Sequence, residues 1–197
     1  MKTLVLSHAE VLKLLPMKEC IALMREALIA LAAGEAHQPL RTIIRPPGAK
    51  GVMGLMPSYS SGGLSGDGGS SGSDRQAAFG LKAICVFPGN PANGLDSHQG
   101  AVLLFSAETG ELLAMMNASA ITAVRTAAVS GVATDLLARK DASNLAMLGS
   151  GVQARSHLVA MAEVRSLKRC RIVSRRIEHA RAFAEEMKGY FSFALEP

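Results

Sequence analysis

Residues 144–154 read Asn-Leu-Ala-Met-Leu-Gly-Ser-Gly-Val-Gln-Ala, an apolar run that leads through a glycine-rich turn into a helical pattern. Gly149 and Gly151 allow the backbone to turn sharply and to approach a pyrophosphate, and Ala154 keeps the following helix close to the strand. Free N–H groups at the helix start would face phosphate oxygens. A second strand-like run, residues 169–174, follows after one helix length. This context favours a dinucleotide-binding G-x-G-x-x-A turn over an ordinary strand-to-helix turn.

The composition is that of a globular protein with a modest excess of positive charge. The 197 residues are 49% hydrophobic and 19% charged, with a net charge of +5, and suffice for one large or two small domains. Only 4% are aromatic and the basic residues are scattered, which favours small phosphate and carboxylate ligands over nucleic acid. Cys20, Cys85 and Cys170 lack metal-ligand spacing, so we expect no metal site and a reduced, cytoplasmic protein. We expect no membrane partner, because no apolar run approaches the roughly 20 residues that span a bilayer.

The first part of the chain predicts helices followed by a sheet. Ser7 and Glu10 form a capping-box pattern, and a longer helix opens at Pro16 and closes at Gly34. Short β-branched or apolar runs then predict strands of a largely antiparallel or mixed sheet. These runs cover residues 42–44, 52–56, 81–87, 101–105 and 112–116.

Two segments between these elements and the dinucleotide turn differ in composition. Residues 60–74 are mostly Ser and Gly, which predicts a flexible loop rather than a phosphate-binding one. After the last strand, Ser119 is expected to cap a helix of small residues that runs to about Arg139. Arg125 lies in its first half, where a buried helix rarely carries a cation without a partner.

Two arginines follow the second strand of the predicted dinucleotide unit. An NAD-preferring site usually offers an acidic residue to the ribose 2′-hydroxyl at this point. Arg175 and Arg176 stand there instead, after Ser174, and guanidinium groups suit a 2′-phosphate. The alternatives are that both are solvated charges or that Glu178 reaches the ribose. The pattern favours NADP(H), with NAD(H) as the second choice.

Several ordered motifs together carry a family resemblance. They are Gln-Pro-Leu-Arg-Thr at 38–42, Gly-Leu-Met-Pro-Ser-Tyr at 54–59, Gly-Leu-Lys at 80–82, Phe-Pro-Gly-Asn at 87–90, Ser-His-Gln at 97–99, Arg-Thr-Ala-Ala at 125–128 and Gly-Ser-Gly-Val-Gln-Ala at 149–154. With them the chain resembles the ornithine cyclodeaminase/mu-crystallin family across essentially its whole length. The resemblance implies an α/β protein with a Rossmann-type unit, incomplete here, and an α+β substrate and dimerisation domain. It also implies a homodimer.

This resemblance divides the chain into three parts. The substrate and dimerisation part covers residues 1–117, a connecting helix covers 118–140, and a partial Rossmann domain that binds NAD(P) covers 141–197. Relatives run on past this point, so we expect the chain to represent part of a longer enzyme, poorly stable alone, with an unpaired sheet edge at residues 191–194.

Site residues follow from the resemblance position by position. Arg41, Lys82 and Arg125 would hold the substrate carboxylate, which is sensible because three cations repel one another unless they surround an anion. His98 is a candidate proton donor to an imine nitrogen, although a lone histidine is more often structural. The cofactor would contact Ser97, His98, Arg125 and Thr126 at its nicotinamide half, Gly149, Gly151, Val152 and Gln153 at its pyrophosphate, and Ser174, Arg175 and Arg176 at its adenosine ribose.

The resemblance implies chemistry on a small imino or amino acid. The leading hypothesis is an NAD(P)H-dependent reductase of cyclic imino acids such as Δ1-pyrroline-2-carboxylate or ketimines. One alternative is an ornithine cyclodeaminase with tightly held NAD, which would release ammonia. A second alternative is a protein that binds small ligands in an NADP-dependent way without catalysis. The Ser-His-Gln triplet at 97–99 and the paired arginines favour the reductase and mu-crystallin branch.

Overall fold

The computed structural model describes residues 2–62 and 76–197, which form two compact units. The first unit comprises Met1–Leu15 and Glu26–Thr122, and the second comprises Pro16–Arg25 and Ala123–Pro197. Helices α2 (Met17–Ala33) and α3 (Ala118–Leu137) each contribute residues to both. The secondary structure is α/β with a mixed sheet, which confirms the predicted class.

The first unit is built on a seven-stranded sheet, counted over the described residues. Its strand order is β1-β7-β6-β5-β4-β2, and β3 also pairs with β4. Strand β1 runs parallel to β7, and the other pairs are antiparallel, which confirms the mixed sheet. The strands are β1 (Leu4–Leu6), β2 (Ala36–His37), β3 (Thr42–Ile44), β4 (Val52–Ser60), β5 (Ala78–Val86), β6 (His98–Ser106) and β7 (Leu112–Asn117).

Local signals in this unit behave as the sequence predicts. Helix α1 (His8–Leu14) carries the expected capping box, in which the Glu10 N–H donates to Ser7 Oγ and the Ser7 N–H donates to Glu10 Oε2 at 2.8 Å. Gly34 ends α2 with a φ of 78°, a conformation that favours glycine. The predicted loop at 60–74 begins one residue too early, because Ser60 is still part of β4 and pairs with Ala36 of β2. From residue 63 onward that prediction lies outside the described part of the chain.

The two faces of the sheet differ in chemistry. Because direct cross-strand partners share a face, Ile84 and Ala114 lie on one side, and both are nearly fully buried. The opposite side, which we call the apolar sheet face, is partly exposed along its whole width. Its exposed members are Val5, Ile44, Met53, Phe79 and Met115.

The second unit contains a βαβαβ segment. It consists of β8 (Asn144–Leu148), α4 (Val152–Val164), β9 (Arg169–Val173), α5 (Ile177–Met187) and β10 (Ala194–Glu196). The three strands are parallel in the order β10-β9-β8. The third strand, at residues 194–196, lies later than the predicted 191–194. Phe191 and Phe193, whose ring centroids are 5.0 Å apart, instead precede the strand and pack against the core cluster that includes Phe183 of α5.

One hydrophobic cluster joins both helices to the sheet in this unit. Leu158 from α4, Cys170 from β9 and Phe183 from α5 are each at most 1% exposed. Since α4 and α5 share this cluster, both pack on the same side of the three strands. Burial also raises the pKa of the Cys170 thiol to about 11.

Helix α3 differs from its prediction in two ways. Its cap is Asn117, whose Oδ1 accepts the Ala120 N–H at 3.0 Å, whereas Ser119 lies inside the helix and donates to Asp96 Oδ2. The helix is also 20 residues long and, by length and composition only, apolar enough to cross a membrane, so the expectation that no apolar segment reaches membrane-spanning length was wrong. A single such helix is weak evidence for a membrane, because apolar core helices pass the same test. Ala127 and Ala128 of α3 are fully buried.

A buried arginine closes the end of α3 within the second unit. The side chain of Arg165 is 5% exposed and donates to the carbonyl oxygens of Thr134 at 2.7 Å and Ala138 at 2.8 Å. It also bonds Asp135 Oδ1 at 3.2 Å, and Asp135 bonds Arg25 as well. The guanidinium thus satisfies carbonyl groups that a helix end leaves without partners. Sequence patterns gave no sign of this role.

Candidate functional site

The glycine-rich turn follows directly from the end of β8. Gly149 has a φ of +115°, a backbone conformation that side chains rarely adopt, and its N–H donates to the Val173 carbonyl at 2.7 Å. A Cβ at Gly149 or at Gly151 would meet nothing within 4 Å. The protein's own packing therefore does not require Gly151 to lack a side chain, and the open space suits a ligand that approaches the backbone.

The N-terminus of α4 faces this open space. Gly151 is the N-cap, with extended backbone and no side-chain capping bond. The first N–H groups of an α-helix lack intrahelical partners, so Val152 and Gln153 present donors suited to an anion. Ala154 is 8% exposed and packs into the core cluster, as expected of the small residue that brings the helix close to the strand.

A cleft of about 790 Å³ surrounds the turn. It extends from the turn to the end of β9 and along one side of α5, and Arg175 and His179 are on its wall. The Ser150 and Ser174 hydroxyl oxygens are 3.1 Å apart, which links the ends of the two strands. Arg176 lies next to this wall, with its Nη2 atom 2.7 Å from His179 Nε2. The residues predicted for the pyrophosphate and ribose thus border one cavity or lie beside it.

An ion pair that sequence reasoning missed lines the same cleft. Arg155 donates from Nε to Glu186 Oε1 at 2.6 Å and from Nη2 to Glu186 Oε2, and its guanidinium lies 5.6 Å from the Phe183 ring centroid. Hydrogen bonds from Arg155 lower the pKa of Glu186, and those to Glu186 raise the pKa of Arg155. Arg155 also donates to the Ser150 carbonyl at 3.3 Å, so it braces the glycine turn. The two partners are 31 positions apart, so no local sequence pattern reveals the pair.

Two of the predicted carboxylate ligands belong to the first unit. Lys82 lies on β5 opposite Met56 and Val102, on the buried side of the sheet rather than on the apolar sheet face. Thr42 opens β3 opposite Leu55, so extending the register by one residue places Arg41 opposite Met56. Arg41 and Lys82 are then on the same side of the sheet, with one strand between them.

The Ser97-His98 pair lies where β6 begins. The Ser97 hydroxyl is 3.2 Å from His98 Nδ1, so the far ring nitrogen, Nε2, points away from this contact. The Asp96 carbonyl accepts bonds from the side chains of Asn90 and Gln99, both at 2.9 Å. By strand alternation His98 is on the same side of the sheet as Lys82. Local hydrogen bonds therefore fix this segment.

Arg125 and Thr126 lie on α3 in the second unit. Neither residue lacks an interaction partner. Arg41 and Lys82 belong to the other unit, so the convergence of the three cations stays a prediction. Across residues 2–62 and 76–197, no group of three or more His, Cys, Asp or Glu side chains is placed to hold a metal ion.

The whole set of motifs matches one family model. The model of the ornithine cyclodeaminase/mu-crystallin family matches residues 1–196. The chain belongs to this family. Its order of a mixed sheet followed by a parallel βαβαβ segment with a glycine turn fits that assignment.

Relatives within the ornithine cyclodeaminase/mu-crystallin family include enzymes with assigned names. The chain is 37% identical over 156 residues to the ketimine reductase mu-crystallin of Rattus norvegicus, covering 79% of this chain and 46% of that protein. It is 36% identical to Δ1-pyrroline-2-carboxylate reductase of Thermococcus litoralis, solved with NADH and L-proline, at a TM-score of 0.86 over 98% of this chain and 57% of that one. An archaeal alanine dehydrogenase dimer with bound NAD is 30% identical to this chain at a TM-score of 0.86, and the match covers 100% of this chain and 56% of that one. The chain thus spans about half the length of the relatives it matches.

Proposed function

We propose that this protein is an NAD(P)H-dependent reductase of cyclic imino acids, of the ketimine or Δ1-pyrroline-2-carboxylate type. The similarity to the Thermococcus litoralis reductase carries the proposal, since that structure holds NADH together with L-proline. L-proline is the product expected when the C=N bond of Δ1-pyrroline-2-carboxylate is reduced. The open glycine turn, with Gly149 in a conformation reserved for glycine, supports a dinucleotide at this position here.

Three cations would hold the substrate carboxylate. Arg41 and Lys82 share one side of the sheet, and the family motif assigns Arg125 of α3 as the third cation that would complete the clamp. Concentrating positive charge in this way is costly without an anion, so a carboxylate would stabilise the arrangement. The clamp would fix the imine carbon for attack and exclude substrates that lack a carboxylate.

Reduction of an imine needs a hydride at carbon and a proton at nitrogen. The bound nicotinamide supplies the hydride, and we assign the proton to His98. Ser97 contacts Nδ1 of this ring, which orients the ring and leaves Nε2 for the substrate. His98→Gln should therefore lower kcat while changing substrate KM less. An unchanged kcat would give His98 a structural role only.

The charges beside the cleft favour NADP(H), with NAD(H) as the second cofactor. Arg175 lines the cleft and Arg176 lies beside it, and both are exposed, where they suit a 2′-phosphate. Replacing Arg175 with Glu and Arg176 with Gln should weaken NADPH at least about tenfold more than NADH, because charge-assisted bonds to the phosphate are lost. The control is Arg171→Gln, an exposed strand arginine paired with Glu196. Equal losses for both cofactors would contradict the preference.

The reductase assay follows loss of reduced-nicotinamide absorbance with Δ1-pyrroline-2-carboxylate. A parallel reaction offers ornithine and NAD and measures ammonia, which tests the cyclodeaminase alternative. A third offers pyruvate, ammonium and NADH, because an alanine dehydrogenase shares the fold at a TM-score of 0.86. Turnover only in the first reaction supports the proposal. Turnover only in another overturns it, and ligand binding without turnover would favour a non-catalytic binder.

We propose that the protein is a homodimer that covers the apolar sheet face. Val5 is 59% exposed and Phe79 is 49% exposed, and they belong to a continuous apolar surface that water would otherwise contact. Phe79→Glu should convert a dimer to a monomer in analytical ultracentrifugation. Leu137→Glu is the matched control, because Leu137 is 85% exposed at the end of α3 and belongs to the second unit rather than to the sheet. A wild-type monomer, or a dimer in both variants, would contradict this assignment.

The free cysteines fit a reducing compartment. Cys20 and Cys170 are buried thiols, and Cys85 is partly buried. We therefore propose a cytoplasmic location, which fractionation of the source cells would test.

A further inference from the structure

His179 has an unusual partner on the wall of the cleft. Its Nε2 atom is 2.7 Å from Arg176 Nη2. A guanidinium group only donates hydrogen bonds, so Nε2 of His179 must accept this one and carries no proton. The ring is therefore neutral in this arrangement, with its single proton on Nδ1. One N–H of Arg176 is committed to an uncharged group.

The charges around His179 are unevenly distributed. Arg155 in the first turn of α4 and Glu186 near the end of α5 bond each other, so their opposite charges largely cancel. Arg175 and Arg176 give the connection between β9 and α5 a positive charge. Glu178 follows in sequence on α5, but neighbouring positions on a helix point in different directions. The cleft beside His179 is thus positive on the side of the two arginines.

We propose that His179 is the third cation of a 2′-phosphate site, and that binding of NADP(H) is coupled to uptake of a proton by its ring. The inference rests on the proposed use of NADP(H). A phosphate placed beside Arg175 accepts a bond from Arg176, whose N–H turns away from His179. The released Nε2 takes a proton from solvent and donates it in a hydrogen bond to another phosphate oxygen.

The chemistry of the phosphate favours this exchange. A monoester phosphate carries close to two negative charges near neutral pH and has strong acceptor oxygens. Histidine is the side chain that gains a proton most readily in the same pH range. NADH has a hydroxyl in place of the phosphate, so it provides no charge to hold the added proton and leaves the Arg176–His179 contact intact. His179 would therefore act on the choice between the two cofactors.

The experiment measures dissociation constants of NADPH and NADH by calorimetry between about pH 6 and 8.5, in two non-phosphate buffers of different ionisation enthalpy. The range brackets the ordinary titration of histidine. The variants are His179→Gln, which cannot be charged, and His179→Arg, which is always charged. Arg181→Gln is the control, because it removes one positive charge from α5 two residues further on, outside the cleft.

The wild-type protein is expected to take up a fraction of a proton with NADPH and none with NADH. Its preference for NADPH should weaken about tenfold as the pH rises, since one charge-assisted bond is lost. His179→Gln should show the weaker preference without proton uptake, His179→Arg should keep the strong preference at high pH, and Arg181→Gln should behave as wild type. A strong NADPH preference that His179→Gln leaves unchanged would overturn the role of His179 but not the cofactor assignment. A wild-type protein without NADPH preference at any pH would instead overturn the cofactor assignment.

Discussion

Replacing Arg165 with Met should destabilise the second unit severely. The Arg165 side chain is only 5% exposed, and its guanidinium donates to four backbone carbonyls around the end of α3 at 2.7–3.3 Å. It also bonds the Val164 carbonyl and the Asp135 carboxylate. Methionine fills a similar volume but donates nothing, so the mutation isolates the loss of hydrogen bonds from the loss of packing.

The magnitude follows from the number and burial of these bonds. A hydrogen bond to a charged group contributes about 1.5–3 kcal/mol, but bonds that share one side chain are not additive. Removing one partner from a buried charged network typically costs about 3–5 kcal/mol, and we expect a loss of this size for Arg165→Met. Domains of this size are stable by only about 5–15 kcal/mol, so the variant should be close to unfolding at ambient temperature.

Urea denaturation measures this loss directly. With a slope of about 2 kcal/mol per M, the midpoint should fall by roughly 1.5–2.5 M. The matched control is Arg139→Met, since the Arg139 side chain is 82% exposed and makes a single ion pair at 3.5 Å with Asp141. Exposed pairs of this kind contribute about 0–1 kcal/mol, so the control should barely move the midpoint. Equal shifts in both variants would refute the capping role of Arg165.

Three further predictions concern charge and burial. Hydrogen bonds from Lys140 and Arg165 lower the pKa of Asp135, so the stability that this carboxylate contributes is present above its unfolded pKa of about 3.9 and is lost as the pH falls below that value. Asp135→Asn should therefore flatten the acid side of a plot of stability against pH, and an unchanged acid side would contradict this. The pKa of Cys170 is raised to about 11, so this thiol should resist alkylation near neutral pH in the folded protein and react after unfolding. Labelling of Cys170 in the folded protein, located by mass spectrometry, would disprove the burial argument. Lys82→Met should raise the substrate KM about 10- to 100-fold, whereas the control Arg45→Met, just after the end of β3, should leave KM unchanged. Similar KM values for the two variants would remove Lys82 from the proposed clamp.

Features set by neighbouring residues could be read from the sequence. The Ser7–Glu10 capping box, the end of α2 at Gly34 and the glycine turn each depend on a few adjacent positions, and the structure contains all three. Strand β1 has only three residues and pairs with β7 more than one hundred residues later, so no local pattern announces it. The cap of α3 was misplaced by two residues because Asn117 and Ser119 are both good capping residues and only their bonds decide between them.

The candidate site divides in the same way. The ribose-end prediction rested on adjacent residues after β9, and Ser174 and Arg175 do line the cleft. The Arg155–Glu186 pair and the Arg176–His179 contact depend on how α4 and α5 pack, or on which way side chains turn, and periodicity does not encode either. The predicted carboxylate clamp would need residues of both units, so its prediction rests on family motifs rather than on any local signal.

The alternation along β5 places one lysine and an apolar row on opposite sides of a single strand. Deleting one residue before Lys82 would turn Lys82 toward the apolar sheet face and turn an apolar neighbour toward the opposite, buried side. The neighbouring strand β6 constrains the register as well, because a Cβ at position 100 would lie 2.1 Å from the Ala83 carbonyl oxygen and only glycine fits opposite Ile84. An insertion or deletion within β5 would therefore disturb both sides of the sheet at once, the side that carries Lys82 and the apolar sheet face.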